Sequence, residues 1–537
     1  MPKIKPLVWL IFIAIAKIPR PIGSGLFIVI LGFALRVAFF GSLPPSPHWD
    51  EISLGYNAYS LLHTGRDEWG MALPIIFRAF GDYKLPVYAY LAVASQAVLG
   101  LNIFATRLPS LVAGMGLIIV AFALGRKAAG NLVGLFSALL VAVSPWTLFL
   151  SRIGSEANVC AFLIAAGMYF LFTGKFFRAS LLLGLSIWTY NSARVFVPLF
   201  LVSYLVIFKY FKRLSTINYL LLAIFFIPMF IQILNPVGQA RYQNLSLIDS
   251  GAIARISEWQ TGKWGGRVLY NKATYFAANF VRNYISYLSP NFLFWNGGSH
   301  YQLSVPNTGL LYWINLPLFY FGIFLLVKYP SKFNRFLLLW LLLSPVAGSI
   351  TRDSPHTTRA IVMLPLPMLI SALGLNYLVT KFKWKTAVLA VFFISLYIGW
   401  EQYIIALRRY QTQYSWAWQY GYFQTVQYIK SQYDNYDRII FTKRYGEPHA
   451  FVTYYWPWDP ADFAKNKVWD YHDNWYWVNE LAKIKFVNDW EIKDYVTNLP
   501  FDGKYLVVSS PDNESPGTEV LKINFLDNKP AFIIKKI

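Results

Sequence analysis

Apolar residues in this chain fall into long runs separated by short polar links, the spacing of helices that cross a bilayer. Runs at or near the ~20 mainly apolar residues a crossing needs occupy 25–43, 108–125, 132–150, 158–173, 179–190, 195–208, 217–234, 310–327, 336–350, 360–379 and 386–407. They predict about eleven transmembrane helices. The links 126–127, 175–178, 209–213, 328–335 and 381–385 carry Lys or Arg and no Asp or Glu. Cytoplasmic links hold the positive excess, and all five share one face only if a further apolar stretch, 85–101, does not cross. That stretch is therefore expected to be re-entrant or surface-lying. The N-terminus, with Lys3, Lys5, Lys17 and Arg20, is then cytoplasmic. The acidic loop 44–84, the links around Arg152, Arg194 and Arg352, the long loop 235–309 and the C-terminal tail share the outer face.

After about residue 408 the pattern changes to that of a water-soluble domain. A helix is expected over 414–433, and strands over 438–442, 484–487, 505–509, 520–525 and 531–534. The chain thus divides into a membrane module, 1–407, with outer loops 44–107 and 235–309, and a small α/β extracytoplasmic domain, 408–537. The loop 235–309 is too long for a connector and contains a helical pattern over 268–288, so it is expected to cover a site. No internal repeat is visible.

Composition supports the membrane class: 56% of residues are hydrophobic, 14% are charged, and the mean hydropathy is +0.41. The net charge of +22 would raise nucleic acid as a partner in a soluble protein, but here the basic links account for most of it. The single cysteine, Cys160, lies in an apolar run and excludes an intramolecular disulfide. A short apolar stretch at 7–18 is followed by Lys17 and Arg20 where a small-residue cleavage site belongs, so no cleavable signal is expected.

Candidate chemistry concentrates in Ser46 to Gly70, SPHWDEISLGYNAYSLLHTGRDEWG. Pro44, Pro45 and Pro47 end the preceding apolar helix. Beyond them Ile52, Tyr56, Tyr59 and Leu62 fall on one side and Ser53, Asn57, Ser60 and Thr64 on the other, which predicts a short amphipathic helix along the membrane surface. Asp50 and Glu51 open it, where negative charge caps a helix favourably. Asp67 and Glu68 read as solvated loop charges. The outer face also carries Phe80-Gly81-Asp82-Tyr83-Lys84-Leu85-Pro86, then Arg152 and Glu156 at i, i+4, then Arg194 in TYNSAR, and then the run Thr351 to Arg359, which includes His356.

Lys84, Arg152, Arg194 and Arg359 each stand at a span boundary, where an unpaired charge costs a few kcal/mol. An anionic lipid headgroup satisfies such cations. A carboxylate beside it can take a proton from an acceptor hydroxyl or amine. The implied chemistry is group transfer from a lipid phosphate.

The strings HWDEISLGYNAYSLL, FGDYKLP, SPWTLFLSRIGSEAN, TYNSARVFVP and ITRDSPHTTRAIVMLP resemble the GT-C glycosyltransferases. The resemblance is to the polyprenyl-phosphate-sugar-dependent branch that holds protein O-mannosyltransferases and the lipid A aminoarabinose transferase, and it covers about 25–374. It implies a mainly α, polytopic GT-C fold, and an inverting transferase moving one sugar from a polyprenyl phosphate to a protein, lipid or glycan acceptor at the outer face of the cytoplasmic membrane. It assigns Asp50 as base, Glu51 as its support and Glu156 as a further acid. Lys84, Arg152, Arg194 and Arg359, with Asp82, His356 and Tyr56, form the substrate and phosphate set. Some relatives have the acid and lysine of the second motif adjacent, whereas here Tyr83 separates Asp82 from Lys84, and no metal is carried over. The histidines lack helical metal-ligand spacing, and no cofactor is expected. His48 is expected to orient or tune Asp50.

Trp49, Trp69, Trp295 and Trp313 read as interfacial anchors. The string Tyr454-Tyr455-Trp456-Pro457-Trp458 reads as acceptor-binding or as core. An oligosaccharyltransferase is the alternative within the class, but its Trp-Trp-Asp-Tyr-Gly signature has as nearest counterpart Trp418-Gln419-Tyr420-Gly421-Tyr422, which lacks the acid. A lipid or solute transporter is the alternative outside it, and transporters tend to carry repeats and mid-span charges, whereas here the charges gather at span ends. A catalytically silent relative whose outer domain binds a partner is the third.

Overall fold

A computed structural model describes residues 21–235, 238–239, 244–500 and 502–537, apart from the side chains of 21, 22 and 212. The apolar stretch 7–18 and the basic residues Lys3, Lys5, Lys17 and Arg20 lie outside the described residues. The chain forms two compact units. Of the described residues, one comprises those within 21–38, 110–151 and 156–406, and the other those within 39–109, 152–155 and 407–537. The change of composition near 408 coincides with a unit boundary, but the first outer loop groups with the C-terminal domain rather than with the membrane helices.

The first unit is helical, and every apolar run named above contains helix. Among the described residues five helices are long and apolar enough to cross a membrane: Ile103–Ala129, Asn191–Phe208, Thr216–Leu234, Ile361–Lys381 and Lys385–Gln413. Prolines explain several of the shorter ones, since the ring removes an N–H and clashes with the preceding turn. The run 132–150 divides into Asn131–Val143 and Pro145–Leu150 at extended Ser144, and 336–350 divides at Pro345. The loop 235–309 contains two helices, Ser250–Gly262 and Lys272–Tyr287. The second starts at a capping box, in which Asn271 accepts from the Thr274 amide and Thr274 accepts from the Asn271 amide.

The second unit is built on a mixed sheet. A two-residue hairpin, β1 (Phe77–Arg78) and β2 (Tyr83–Lys84), stands apart from it. The sheet strands are β3 (Arg438–Thr442), β4 (Lys467–His472), β5 (Trp475–Leu481), β6 (Ile484–Val487), β7 (Tyr505–Ser509), β8 (Thr518–Asn524) and β9 (Pro530–Lys536), ordered β4-β5-β6-β3-β7-β9-β8. Only β6-β3 and β3-β7 are parallel. Alternation along the strands makes two cores. Ile440, Val507 and Val487 pack with Ile492 and Val496 on one face. Ile439, Phe441, Leu506 and Val508 pack on the other with Ile52 and Tyr56 of the first loop.

The helix Trp49–Thr64 is therefore a core element and not a surface-lying one. Its polar side is buried as well: Ser53, Asn57 and Ser60 are at most 2% exposed. The helix Pro86–Leu99, in the stretch 85–101, has 14 residues, about 21 Å at 1.5 Å each, which is short of a ~30 Å hydrocarbon core. It packs on the same helix, and Gln96 donates to the Gly55 carbonyl at 2.9 Å.

Candidate active site

The helix Trp49–Thr64 starts where three prolines end the preceding segment, and its N-cap is His48. The His48 Nδ1 accepts from the Asp50 amide at 3.1 Å. The helix stops at Gly65, whose φ of +66° is the left-handed conformation glycine adopts without strain. Asp50 and Glu51 fall in the first turn and point to opposite fates. Asp50 stays half exposed, with its Oδ1 2.7 Å from the Lys84 Nζ, which also donates to the Asp50 carbonyl at 3.1 Å. His48 Nδ1 is 3.8 Å from the other carboxylate oxygen. Cap and ion pair together fix the direction of the one acid in this turn that meets solvent.

Glu51 is wholly buried. Arg107 grips it with two N–H groups, at 2.7 and 3.0 Å, and donates two more to the carbonyls of Phe40 and Ser46. The Gly154 amide donates to the same carboxylate at 2.6 Å. A Cβ on Gly154 would press on Glu51 and the Tyr88 hydroxyl at 3.2 to 3.4 Å, so a larger residue here would make them shift by a few tenths of an ångström. Arg107 and the Gly154 amide thus enclose the carboxylate that was expected to support Asp50. One residue that sequence reasoning missed is Arg107. Standing at the start of an apolar run, it looks like an ordinary flanking charge.

Lys84 is carried by β2, and the hairpin is tied down at four points. Arg78 of β1, the cross-strand partner of Tyr83, lies 4.9 Å from the Trp69 ring, 5.3 Å from Trp469 and 4.6 Å from Tyr476. The Tyr83 and Tyr476 hydroxyls meet at 2.9 Å, and the Tyr476 amide donates to the Phe80 carbonyl at 2.6 Å. At the turn, Gly81 lies against Trp475 so closely that a Cβ would collide with it. Asp82 accepts from the Tyr83 amide at 2.6 Å. Trp49 and Trp69 thus serve the packing of this unit, not an interface, while Trp295 and Trp313 remain exposed.

Asp67 and Glu68 are buried, against expectation. Asn57 donates to Glu68 Oε1 at 2.7 Å and accepts its amide at 3.2 Å, and Lys467 donates to its carbonyl at 2.9 Å. Burial pushes the Glu68 carboxyl up to about 7 and the Lys467 ammonium down to about 8. A second buried group lies near: burial raises Glu447 to about 7, and burial, then Lys443 and Lys467, lowers His449 to about 3. His449 is neutral there, so the 3.4 Å approach of its Nδ1 to Glu447 is not an ion pair.

Tyr56 is fully buried, and its hydroxyl donates to the Trp458 carbonyl at 3.1 Å. Tyr454 is core as well. Arg152 lies in a turn, donating to the Leu43 carbonyl at 3.0 Å, and the next helix begins only at Glu156. The two do not share a helical face, because helical geometry has not yet started at Arg152. Glu156 complements the positive end of its own helix.

In the first unit Arg194 lies in the first turn of Asn191–Phe208, donates to Gln232 at 2.6 Å and the Ile187 carbonyl at 3.1 Å, and stacks on Trp188. Tyr190, the N-cap residue of that helix, donates to Thr358 at 2.8 Å, which meets His356 Nδ1 at 3.1 Å. Arg359 follows, bonded to Thr351 at 2.7 Å and 3.6 Å from Asp353. The segment 351–359 and the start of the Asn191–Phe208 helix are thereby one cluster, holding two of the expected cations and His356. Arg36, unnoticed in the sequence, is fully buried and donates to Ser151 and to the carbonyls of Gly32, Val141 and Ala142.

Comparison of the whole chain identifies its architecture. ArnT from Cupriavidus metallidurans, crystallised with undecaprenyl phosphate, superposes with a TM-score of 0.57 over 95% of this chain and 98% of that one, at 12% identity. The chain has the GT-C fold. The oligosaccharyltransferase AglB from Archaeoglobus fulgidus, in complex with an inhibitory peptide and a dolichol-phosphate, matches with a TM-score of 0.51 at 12% identity over 81% of this chain and 63% of its own. A crystal of the same enzyme with Zn and sulfate gives 0.52 at 13% over 80% and 61%. No protein-family model matches the sequence and no curated protein matches it. Among the described residues no three His, Cys, Asp or Glu side chains gather into a metal-binding group.

Proposed function

We propose that this protein is a membrane-embedded glycosyltransferase that moves a single sugar from a polyprenyl phosphate to an acceptor at the outer face of the cytoplasmic membrane. The observation that carries the reading is Asp50, a half-exposed carboxylate held between a helix cap and Lys84 in a chain with the fold of a protein crystallised with undecaprenyl phosphate. Asp50 removes the proton from an acceptor hydroxyl or amine as that atom attacks the anomeric carbon. The bond from that carbon to the phosphate oxygen breaks, and the polyprenyl phosphate leaves with the electron pair. In-line attack inverts the anomeric centre. Lys84 and Arg152, in the unit that carries Asp50, supply positive charge for the departing phosphate. Glu51 and Arg107 fix the turn that aims Asp50.

Block transfer of an oligosaccharide is the weaker reading. Trp418 and Tyr422, the ends of the nearest counterpart to the oligosaccharyltransferase signature, are fully buried and unavailable to an acceptor.

The test is consumption of polyprenyl-phosphate-linked sugar in membranes carrying the protein, with the lipid-linked sugar that copurifies identified by mass. Asp50→Asn should reduce turnover at least ~100-fold, the scale of general-base loss, with the variant still folded. Full turnover in Asp50→Asn refutes the assignment.

A further inference from the structure

The loop 235–309 holds a cleft that the transferase reading does not use. It lies between the helices Ser250–Gly262 and Lys272–Tyr287 and has a volume of about 620 Å³. Arg255 and Trp259 come from the first helix, Tyr275, Asn279 and Arg282 from the second, and Tyr270 from the connection. Three features define what it takes.

The first is charge. Among the described residues no carboxylate lines the cleft, and the segment 249–287 carries Arg255, Lys263, Arg267, Lys272 and Arg282 against two acids, Glu258 and the N-cap Asp249, which lies near enough to act on Arg255. The two lining guanidiniums have neutral partners: Arg255 donates to the Tyr275 hydroxyl at 2.9 Å and Arg282 to Asn279 Oδ1 at 2.7 Å. Each bond orients a planar fork and leaves further N–H groups on it, the arrangement that suits phosphate or carboxylate oxygens.

The second is the aromatic lining. Trp259 has ring centroids of Tyr270 and Tyr275 at 5.8 and 6.1 Å, and Lys263 sits 4.5 Å from the Trp259 centroid. Rings of this kind stack on the C–H faces of a sugar and add nothing to a bare ion. The third is size. The volume falls inside the ~300–1,000 Å³ of small-molecule pockets and far exceeds what an inorganic anion fills.

We propose that this cleft binds a sugar ring bearing a phosphate, with Arg255 and Arg282 on the anion and the aromatic side chains against the ring. The assignment concerns ligand class and stands or falls separately from the transferase reading.

The test uses the full chain in nanodiscs of neutral phosphatidylcholine. Hydrogen exchange over 250–287 is followed during titration with glucose 6-phosphate, glucose or inorganic phosphate. Glucose 6-phosphate should protect the segment, inorganic phosphate should need at least ten times the concentration, and glucose should not protect it. In Arg255→Gln/Arg282→Gln the half-saturating glucose 6-phosphate concentration should rise ten-fold or more with exchange elsewhere unchanged, and Trp259→Leu should weaken glucose 6-phosphate more than inorganic phosphate. Protection by a polyprenyl-phosphate glucose built into the disc points to a lipid-borne ligand, and protection by the free sugar phosphate alone to a soluble one. The proposal is overturned if glucose 6-phosphate gives no protection, if the double variant binds it normally, if inorganic phosphate is its equal, or if phosphatidylglycerol discs alone give the full effect.

Discussion

Replacing Arg78 with glutamine should loosen Lys84 without touching it. The guanidinium carbon of Arg78 lies 4.6 to 5.3 Å from three ring centroids, Trp69, Trp469 and Tyr476. A single cation–π contact contributes ~0.5–1 kcal/mol when exposed and ~2 when desolvated. Because the three rings share one charge, their sum is taken as about 2–3 kcal/mol rather than three full contacts. Glutamine keeps most of the stem and removes the charge. The closed hairpin should then lose roughly 30- to 150-fold in its equilibrium against the open one, at 1.36 kcal/mol per factor of ten. Hydrogen exchange of β1 and β2 reads this directly, as protection falling by that factor while β3 and β7 keep theirs. Lys84 pairs with Phe77 in the hairpin register, so its ammonium should also acetylate faster, and Arg78→Lys should restore part of both effects. Exchange within two-fold of wild type and unchanged Lys84 labelling would falsify the claim that the aromatic cage holds the lysine in place.

Three further outcomes follow from the buried charges. Glu51→Gln leaves Arg107 uncompensated at a fully buried site and should cost about 3–5 kcal/mol, whereas Glu51→Leu/Arg107→Met should cost less than the two single changes added; thermal unfolding of the purified variants gives both numbers. Glu68→Gln should stabilise the protein at pH 8 by about 1–3 kcal/mol. The Glu68 carboxyl, raised to about 7, binds its proton more tightly folded than unfolded, so the stability it confers is present below its unfolded value and is lost as pH rises through 7; a stability difference that ignores pH between 4.5 and 8 removes this explanation. His449, lowered to about 3, acts in the opposite sense, and His449→Phe should flatten the loss of stability as pH falls from 6.5 toward 3, measured by the same unfolding assay.

Hydrophobic pattern located the membrane helices because a lipid-facing helix must be apolar over most of its surface, a signal that survives every detail of packing. It also located β3, β6 and β7 to the residue. These strands are central and largely buried, so they read as continuous apolar runs such as Arg438-Ile439-Ile440-Phe441-Thr442. It missed β4 and β5. Their sequences, KVWDYH and WYWVNEL, mix aromatic with charged residues because β4 is an exposed edge and β5 receives the first-loop hairpin. Breaks inside the runs were legible in principle from Pro145, Pro345 and Pro365, but their effect on span length depends on how the freed backbone groups are satisfied.

The candidate site divides along the same line. Asp50 and Lys84 are 34 residues apart and each stands in a recognisable string, so both could be named from sequence and the structure brings them together. Asp67 and Glu68 could not be read correctly, because their burial comes from partners far along the chain: Lys467 reaches the Glu68 carbonyl across 399 residues. The same holds for Arg78, whose cage takes two of its three rings from β4 and β5. The domain after 407 is therefore more than an appended recognition module. Its sheet buries the helix that begins with Asp50, and its β4-β5 hairpin holds the strand that carries Lys84. A transferase reading that places the base and its cation on the first outer loop must count the C-terminal domain as part of the machinery that aims them.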